Sequence, residues 1–400
     1  MNKLRPGLLV FSSLFPHSGA PNAGVFIRER MFRVGATLPV TVVSPQPWFP
    51  GQGFLRIFRP HFRRPAPKSE IQSGIETFFS FPGIFKQYDG LFMAISSYRT
   101  LRRLKKRTGF NLVDAHFAYP DGYAAILLGK WLKVPVTITL RGTEIPHSRN
   151  PKLRPLLVRA LKDSTRLFSV SESLRQHAIS LGIDPDKITV VGNGVDTNKF
   201  SPVLKTEARR QLGLSDTDTV LVSVGALVER KGFHRVIEVL PNLLKIYPNI
   251  KYLIVGGAGP EGDWGEHLRN QVSSLKLDGT VIFSGAMPSD KLKVPLSAAD
   301  VFVLATSNEG WANVFLEAMA CGLPVVTTDV GGNREVVCRN ELGTVVPFGD
   351  TQKLERALAR ALDRKWDTEE ILSYAANNSW DLRVEVLIDA FETMLDETYT

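Results

Sequence analysis

The feature that most constrains this chain is an alternation of short apolar runs, rich in β-branched residues, with longer segments of helical spacing. Residues 7–11, 40–43, 112–116, 134–140, 166–170 and 188–191 form one series of such runs. Residues 220–224, 251–255, 281–284, 301–304 and 324–327 form a second. Helical candidates lie between them, among them 121–132, 155–163, 171–181, 232–246 and 313–321. A strand without a polar face must be covered on both sides, so apolar strands separated by helices predict parallel sheets with helices on both faces. Two series predict an α/β chain of two doubly wound, Rossmann-like domains. The join is expected near 198–206, where Phe200-Ser-Pro202 interrupts the pattern.

A chain of 400 residues with 44% hydrophobic and 22% charged residues can build a core in each domain. Two cysteines, Cys321 and Cys338, are too few for a disulfide framework, and a reducing compartment is expected. No histidine is spaced beside them as a zinc ligand, so no metal site is expected. No apolar stretch approaches the ~20 residues needed to span a bilayer. Lys3 and Arg5 before an apolar run at 7–15 loosely mimic a secretory leader. The run is short and Pro16 and His17 follow it, so it reads as a first buried strand.

Charge is unevenly distributed. The net charge is +9, but residues 1–200 carry +17 and the remainder −8. A basic half points to a polyanionic partner, either nucleic acid or an anionic membrane. Between residues 44 and 86, prolines such as Pro45, Pro47, Pro60, Pro67 and Pro82 are interleaved with Trp48, Phe54, Phe62, Phe79 and Phe85. Arg56, Arg59, Arg63, Arg64 and Lys68 accompany them. Such a stretch suits either an interfacial surface or a cover over the domain's own core. Arg99, Arg102, Arg103, Lys105, Lys106 and Arg107, with Leu101 and Leu104 between them, predict a helix with a cationic face. Together these features favour an anionic membrane surface as partner. Cations beside stacking rings also suit single-stranded nucleic acid, but no nucleic-acid motif accompanies them, and no nucleic-acid partner is expected.

The segment most able to carry chemistry is Asn308-Glu-Gly-Trp-Ala-Asn-Val-Phe-Leu-Glu-Ala-Met-Ala-Cys-Gly-Leu-Pro-Val-Val326. It follows the strand 301–304 and places Glu309 in a loop and Glu317 about one turn into a helix. Gly322 and Pro324 end that helix. A helix start at Asn313 offers free backbone N–H groups to a phosphate, and a carboxylate beside it accepts hydrogen bonds from sugar or ribose hydroxyls. Two glutamates at a helix entrance are, taken alone, more often capping or solvated residues.

This segment resembles the carboxylate signature of the retaining glycosyltransferases of family 4, which have the GT-B fold. The likeness extends along most of the chain. Gly225 to Gly232, with Arg230 and Lys231, is similar to the family's basic donor loop. Val255-Gly-Gly-Ala-Gly-Pro260-Glu261 is similar to its second turn, and Phe283-Ser-Gly285-Ala286 to the turn along the nucleobase. Gly331-Gly332-Asn333 with Glu335-Val336-Val337 is similar to the next loop. In the first half, Asn22-Ala-Gly24, Asp114-Ala-His116-Phe117, Arg141-Gly142-Thr143-Glu144 and Asn193-Gly194-Val195-Asp196 each have a counterpart. The order and spacing of the pieces carry the match.

The resemblance implies two domains facing a cleft. An acceptor-binding domain would span 1–198, joined by a C-terminal helix at about 379–400, and a domain binding a nucleotide-sugar donor would span 199–378. It implies that Arg230 and Lys231 neutralise the donor diphosphate, and that Glu317 holds the ribose. Glu309 would hold the transferred sugar and act in catalysis with His116. Gly310 and the backbone of Asn313 and Val314 would touch the phosphate or sugar. Gly24 would let backbone approach the diphosphate, and Gly285 and Ala286 would flank the base. Arg141, Thr143 and Glu144 would lie on the acceptor side.

Two departures stand out. The position after Gly225, often arginine in the family, is Ala226, and the loop that often reads His-Gly-x-Asp reads Arg141-Gly142-Thr143-Glu144. The expected activity is retaining transfer of a hexose or N-acetylhexosamine, most simply from a UDP-sugar, to a glycan or glycolipid acceptor, without metal. The expected place is the cytoplasm, peripheral on the inner face of the cell membrane. An epimerase or phosphorylase on the same fold is the alternative. An NAD-dependent oxidoreductase is more remote. Gly257-Ala-Gly259-Pro260-Glu261-Gly262 matches the dinucleotide fingerprint, but with a proline inside it and beyond the first strand of its domain.

Overall fold

A computed structural model describes residues 5–20, 23–58, 75–81, 83–259 and 261–399. Lys3, Asn22, Arg59, Pro60, Phe62, Arg63, Arg64, Pro65, Pro67, Lys68, Pro82 and Pro260 lie outside the described residues, as do the side chains of Arg56 and Phe58. The chain divides into two compact units, Met1–Asn193 with Trp380–Thr400, and Gly194–Ser379.

Each unit is built on a parallel sheet. The first holds β1 (Leu8–Phe11), β2 (Val40–Trp48), β3 (Ile75–Phe79), β4 (Leu112–His116), β5 (Val136–Leu140), β6 (Arg166–Ser169) and β7 (Ile188–Val190), in the order β3-β2-β1-β4-β5-β6-β7. The second holds β8 (Thr219–Val224), β9 (Ile250–Val255), β10 (Val281–Gly285), β11 (Val301–Leu304), β12 (Val325–Thr328) and β13 (Gly343–Val346), in the order β10-β9-β8-β11-β12-β13. The described pairings between named strands are all parallel. Both sheets therefore wind outward in both directions from a central pair, β1 with β4 and β8 with β11. At that pair the connections reverse, which is where a doubly wound sheet opens a crevice beyond its strand ends.

Burial explains why these runs become strands. All four residues of β1 are buried, as are those of β11 and β12. Apolar layers cover both faces of each sheet. In the first unit one layer is closed by the helix Trp380–Tyr399, which packs beside the helix Val25–Thr37 and sets Phe391 edge-on against Phe168 of β6, with ring centroids 5.4 Å apart.

Two strands are absent from the sequence expectation, and β2 is longer than expected. Pro45 and Pro47 argue against a strand, yet β2 runs through both and pairs with β3 from Ser44 to Trp48. The pairing with β1 ends at Val43 opposite Phe11. Trp48 accepts a hydrogen bond from Ser80 on the β3 side, so the alternate positions 45 and 47 face the side where β1 has ended. Their missing N–H groups leave no ladder bond unmade. The strand β13 is four residues long and begins with glycine, a weak strand signal.

Candidate functional site

In the second unit, the side chains at the crevice form a charged knot. Lys231 and Arg230 lie on the turn Glu229–Lys231 that follows β8, and Glu309 lies on the loop that follows β11. The Lys231 ammonium donates to Glu309 Oε1 at 2.5 Å, and the Arg230 guanidinium donates to the same oxygen at 3.2 Å. Arg230 also donates to the Asn308 carbonyl at 3.0 Å and holds Glu261 through contacts of 2.7 and 3.1 Å. The Thr306 hydroxyl lies 3.3 Å from Glu309 Oε1 and 3.0 Å from the Arg230 carbonyl, and Ser307 N–H donates to that carbonyl at 2.8 Å. The two loops are thus stitched together by backbone and side chain. Burial opposes charge on Arg230, but the hydrogen bond to Glu261 and the field of Glu309 outweigh it and hold the guanidinium above its ordinary range. The Arg230 hydrogen bond likewise holds the Glu261 carboxyl below its ordinary range.

Glu309 is almost fully buried. Its loop is pinned from the far side by Gly331, where φ is +51° and a Cβ would lie 1.7 Å from the Glu309 carbonyl oxygen, so no larger residue fits. Four residues past Glu309 the helix Asn313–Ala320 begins, with Ala312 as its N-cap residue. Gly310, Asn313, Val314 and Glu317 are all half-buried along this entrance. Gly285 and Ala286 are exposed at the end of β10, and the Gly257 backbone of the neighbouring loop approaches Ala286. The strands and helix thus bring Arg230, Lys231 and Glu309 into contact, with the helix entrance adjoining. A cationic pair, a buried carboxylate and a helix start can hold a phosphate and hydroxyl groups together. The dinucleotide-like segment from Gly257 follows β9, one strand off the central pair, where the fingerprint does not belong.

The first unit places its residues differently. His116, at the end of β4, is fully buried rather than open to a bound sugar. Its Nδ1 faces Arg141, which donates from Nε at 3.2 Å. Arginine has no acceptor, so Nδ1 is the acceptor and the proton of the neutral ring sits on Nε2. Burial, Arg141 and Arg30 push the His116 pKa well below its ordinary value. Nε2 lies 3.6 Å from an Asp114 oxygen, beyond hydrogen-bond reach. Half-buried Arg141 extends from this base over the Phe26 ring, 4.9 Å from its centroid, and donates to Asn193 at 3.1 Å. His116 therefore positions Arg141.

Glu144, expected on the acceptor side, is also turned inward. It is 2% exposed and accepts hydrogen bonds from the backbone N–H groups of Ala118, Arg141 and Gly142 at 3.1, 3.1 and 2.7 Å. It ties the loops after β4 and β5 together. Thr143 is half-buried beside it, with its hydroxyl oxygen buried and without a partner among the described residues. Gly24 has φ +67°, and a Cβ there would lie 2.4 Å from the Leu14 carbonyl oxygen, so this glycine is needed by the loop itself.

Several partners escaped the sequence reading. Arg30, fully buried, donates to the Val191 carbonyl at 2.6 Å, and desolvation lowers its pKa to about 10. Asp114 is buried with it and accepts from Thr137 at 2.7 Å, and burial raises its pKa to about 6. Asp121, in the loop after β4, accepts from the Ser13 N–H and from the Ser13 hydroxyl at 3.0 Å, and burial raises its pKa to about 7. Nothing in the local sequence marks these as buried charges. Among the described residues no cluster of histidine, cysteine, aspartate or glutamate could hold a metal ion, and no helix is long and apolar enough to cross a membrane.

Comparison with known proteins agrees with this architecture. Residues 205–379 match the family model described as glycosyl transferases group 1, and residues 48–199 match that of glycosyltransferase family 4. A Bacillus subtilis protein assigned to teichuronic acid biosynthesis as a glycosyltransferase, TuaC, is 28% identical over 97% of this chain and 93% of its own length. A D-inositol 3-phosphate glycosyltransferase of Acidothermus cellulolyticus is 33% identical over 56% of this chain and 52% of its own. The crystal structure of Anabaena Alr3699/HepE in complex with UDP shares the fold, with a TM-score of 0.70 over 98% of this chain and 99% of that one, at 18% identity.

Proposed function

The chain belongs to the family 4 glycosyltransferases and has the GT-B fold, and on that premise we propose that it is a retaining enzyme that transfers a hexose or N-acetylhexosamine from a UDP-sugar to a lipid-linked or polysaccharide acceptor. The observation that carries this reading is the convergence of Arg230 and Lys231 on Glu309 at the central strand pair of the second unit. A diphosphate set against the two cations would take over the anionic contacts that Glu261 and Glu309 now make. It would free Glu309 to hold hydroxyls of the transferred sugar. Glu317 would hold the ribose, Gly310 and the N–H groups of Asn313 and Val314 the phosphate or sugar, and Gly285 and Ala286 the base. That the Anabaena protein is described with UDP supports UDP over other nucleotides.

In the reaction the bond between the anomeric carbon and the diphosphate oxygen breaks. A bond from the acceptor oxygen forms on the same face, and the acceptor proton passes to the departing diphosphate oxygen. Arg230 and Lys231 stabilise the charge that develops on the leaving group, work that a metal does elsewhere. The first unit handles the acceptor, with Arg141 as its cationic contact, His116 and Glu144 holding that loop in place, and Thr143 beside it. The names of relatives concerned with cell-surface glycans support a cell-surface acceptor. The basic first half supports work in the cytoplasm at the inner face of an anionic membrane.

A thermal-shift panel with UDP, GDP, ADP and NAD on the wild type and Lys231→Ala tests the donor site. Ligand at about 100 times its Kd stabilises the folded state by ~2.7 kcal/mol. UDP is expected to raise the melting temperature of the wild type and much less that of the variant. A shift with NAD alone would overturn the transferase reading. Release of an isomerised sugar nucleotide, with none transferred to an acceptor, would favour an epimerase.

A further inference from the structure

The helix Asp89–Thr108 buries one face in the first unit through Met93, Ala94, Ser97, Leu101 and Leu104. The other face is exposed at 91, 92, 95, 99, 102, 103 and 106, a spacing that keeps these positions on one side of the helix for about four turns. That face has two halves. Leu91, Phe92 and Ile95 are 39%, 36% and 57% exposed. Arg99, Arg102, Arg103 and Lys106 continue the same stripe. The helix has a single carboxylate, Asp89, which is buried and accepts from Ser80 and Lys86 at 3.0 and 3.1 Å. Among the described residues no carboxylate pairs with the four cations.

The apolar half continues onto neighbouring elements. The Phe92 ring lies 6.1 Å from Phe79 of the edge strand β3 and 6.2 Å from Tyr88. Phe85, before the turn that enters the helix, is 59% exposed, and Trp48, the register partner of Phe79, is 47% exposed. A solvated helix face would be polar along its length. A protein interface would deplete charge across its centre. Rings and aliphatic side chains that lead into four cations match the boundary of an anionic bilayer, where apolar groups enter below the phosphates and cations stay among them.

We propose that this face is the membrane dock, and that the helix meets an anionic bilayer obliquely, with its Leu91–Ile95 end in the acyl boundary and Arg99 to Lys106 at headgroup level. Phe92 and Arg103 are about 16 Å apart along the axis. Placing one below the phosphates and the other among them requires a tilt. The proposal rests on the reading of this chain as an enzyme that works at an anionic membrane.

The test is flotation of the full-length protein with vesicles of mixed phosphatidylglycerol and phosphatidylcholine, and with phosphatidylcholine alone. Variants are Ile95→Ser and the triple Arg102→Gln, Arg103→Gln, Lys106→Gln, with circular dichroism melts to verify folding. At roughly fivefold in affinity per cation, the triple variant should bind the anionic vesicles on the order of a hundredfold more weakly at low salt. Ile95→Ser should bind more weakly at every salt concentration. For orientation, an environment-sensitive fluorophore on Ile95→Cys or Arg103→Cys, in a Cys338→Ser background, should shift to the blue at 95 and little at 103.

Wild type that floats while both variants float equally well would overturn the dock and leave the membrane reading standing. Wild type that floats with neither vesicle would defeat that reading itself. Equal blue shifts at 95 and 103 would overturn the oblique pose. A dimer that Ile95→Ser dissociates, with no flotation, would assign the face to a second copy of the chain.

Discussion

At the scale of single residues, the two units use their buried charges in opposite ways. In the second, Arg230, Lys231 and Glu309 pair with one another at the crevice. In the first, Arg30, Asp114, His116 and Asp121 lie beneath the surface and hold loops in place. Asp121 makes this testable. Burial raises its pKa from 3.8 to about 7, so the folded state holds a proton that the unfolded chain has released. Its favourable contribution is complete below about pH 4, declines as pH rises, and is gone above about pH 7. Asp121→Asn removes that titration. Denaturation of both proteins at pH 5 and pH 8 should show the variant gaining on the wild type at the higher pH, and a constant difference would refute the assignment. The same residues show what a sequence can reveal at this scale. Glu309 is legible as a carboxylate in the loop after an apolar strand, whereas Arg230 and Lys231 are singled out only by the resemblance of their loop to the family's basic donor loop. The burial of His116 was not, because it depends on Arg141 closing over it from another strand.

At the scale of elements, apolar runs such as β1 and β11 could be read directly, since burial on both faces leaves no polar position to confuse them. Where tertiary context decides, the reading failed. The prolines of β2 are tolerated because their neighbour strand has ended, and β3 is a strand because it has β2 to pair with. The helix Trp380–Tyr399 was foreseen by resemblance, and packing explains it: Phe391 is 1% exposed against Phe168. Phe391→Ala should cost about 3–5 kcal/mol. Chemical denaturation should show the loss in the first unit's transition while nucleotide binding to the second persists. A loss shared equally by both transitions would mean that the units unfold as one.

At the scale of the molecule, the two sheets share one winding order about their central pairs, and in the second Arg230, Lys231 and Glu309 lie beyond the carboxyl ends of that pair. The units differ in chain continuity. The second is a single stretch, Gly194–Ser379, whereas the first is interrupted by the whole of the second and completed by Trp380–Thr400. The segment 194–379 expressed alone should therefore melt cooperatively, and the segment 1–193 alone should expose the layer around Leu8, Ile27 and Phe168 and aggregate. Soluble, cooperatively folded 1–193 would show that the closing helix is dispensable.

The late arrival of that helix has a consequence for synthesis. As the chain leaves the ribosome, the first unit emerges before the helix that covers one side of its sheet, and it waits, incomplete, while the second unit is translated and folds. The order in which the two units mature is thus the reverse of the order in which they begin. A stalled or truncated nascent chain would present an exposed apolar layer to the chaperones, however well its second unit had folded.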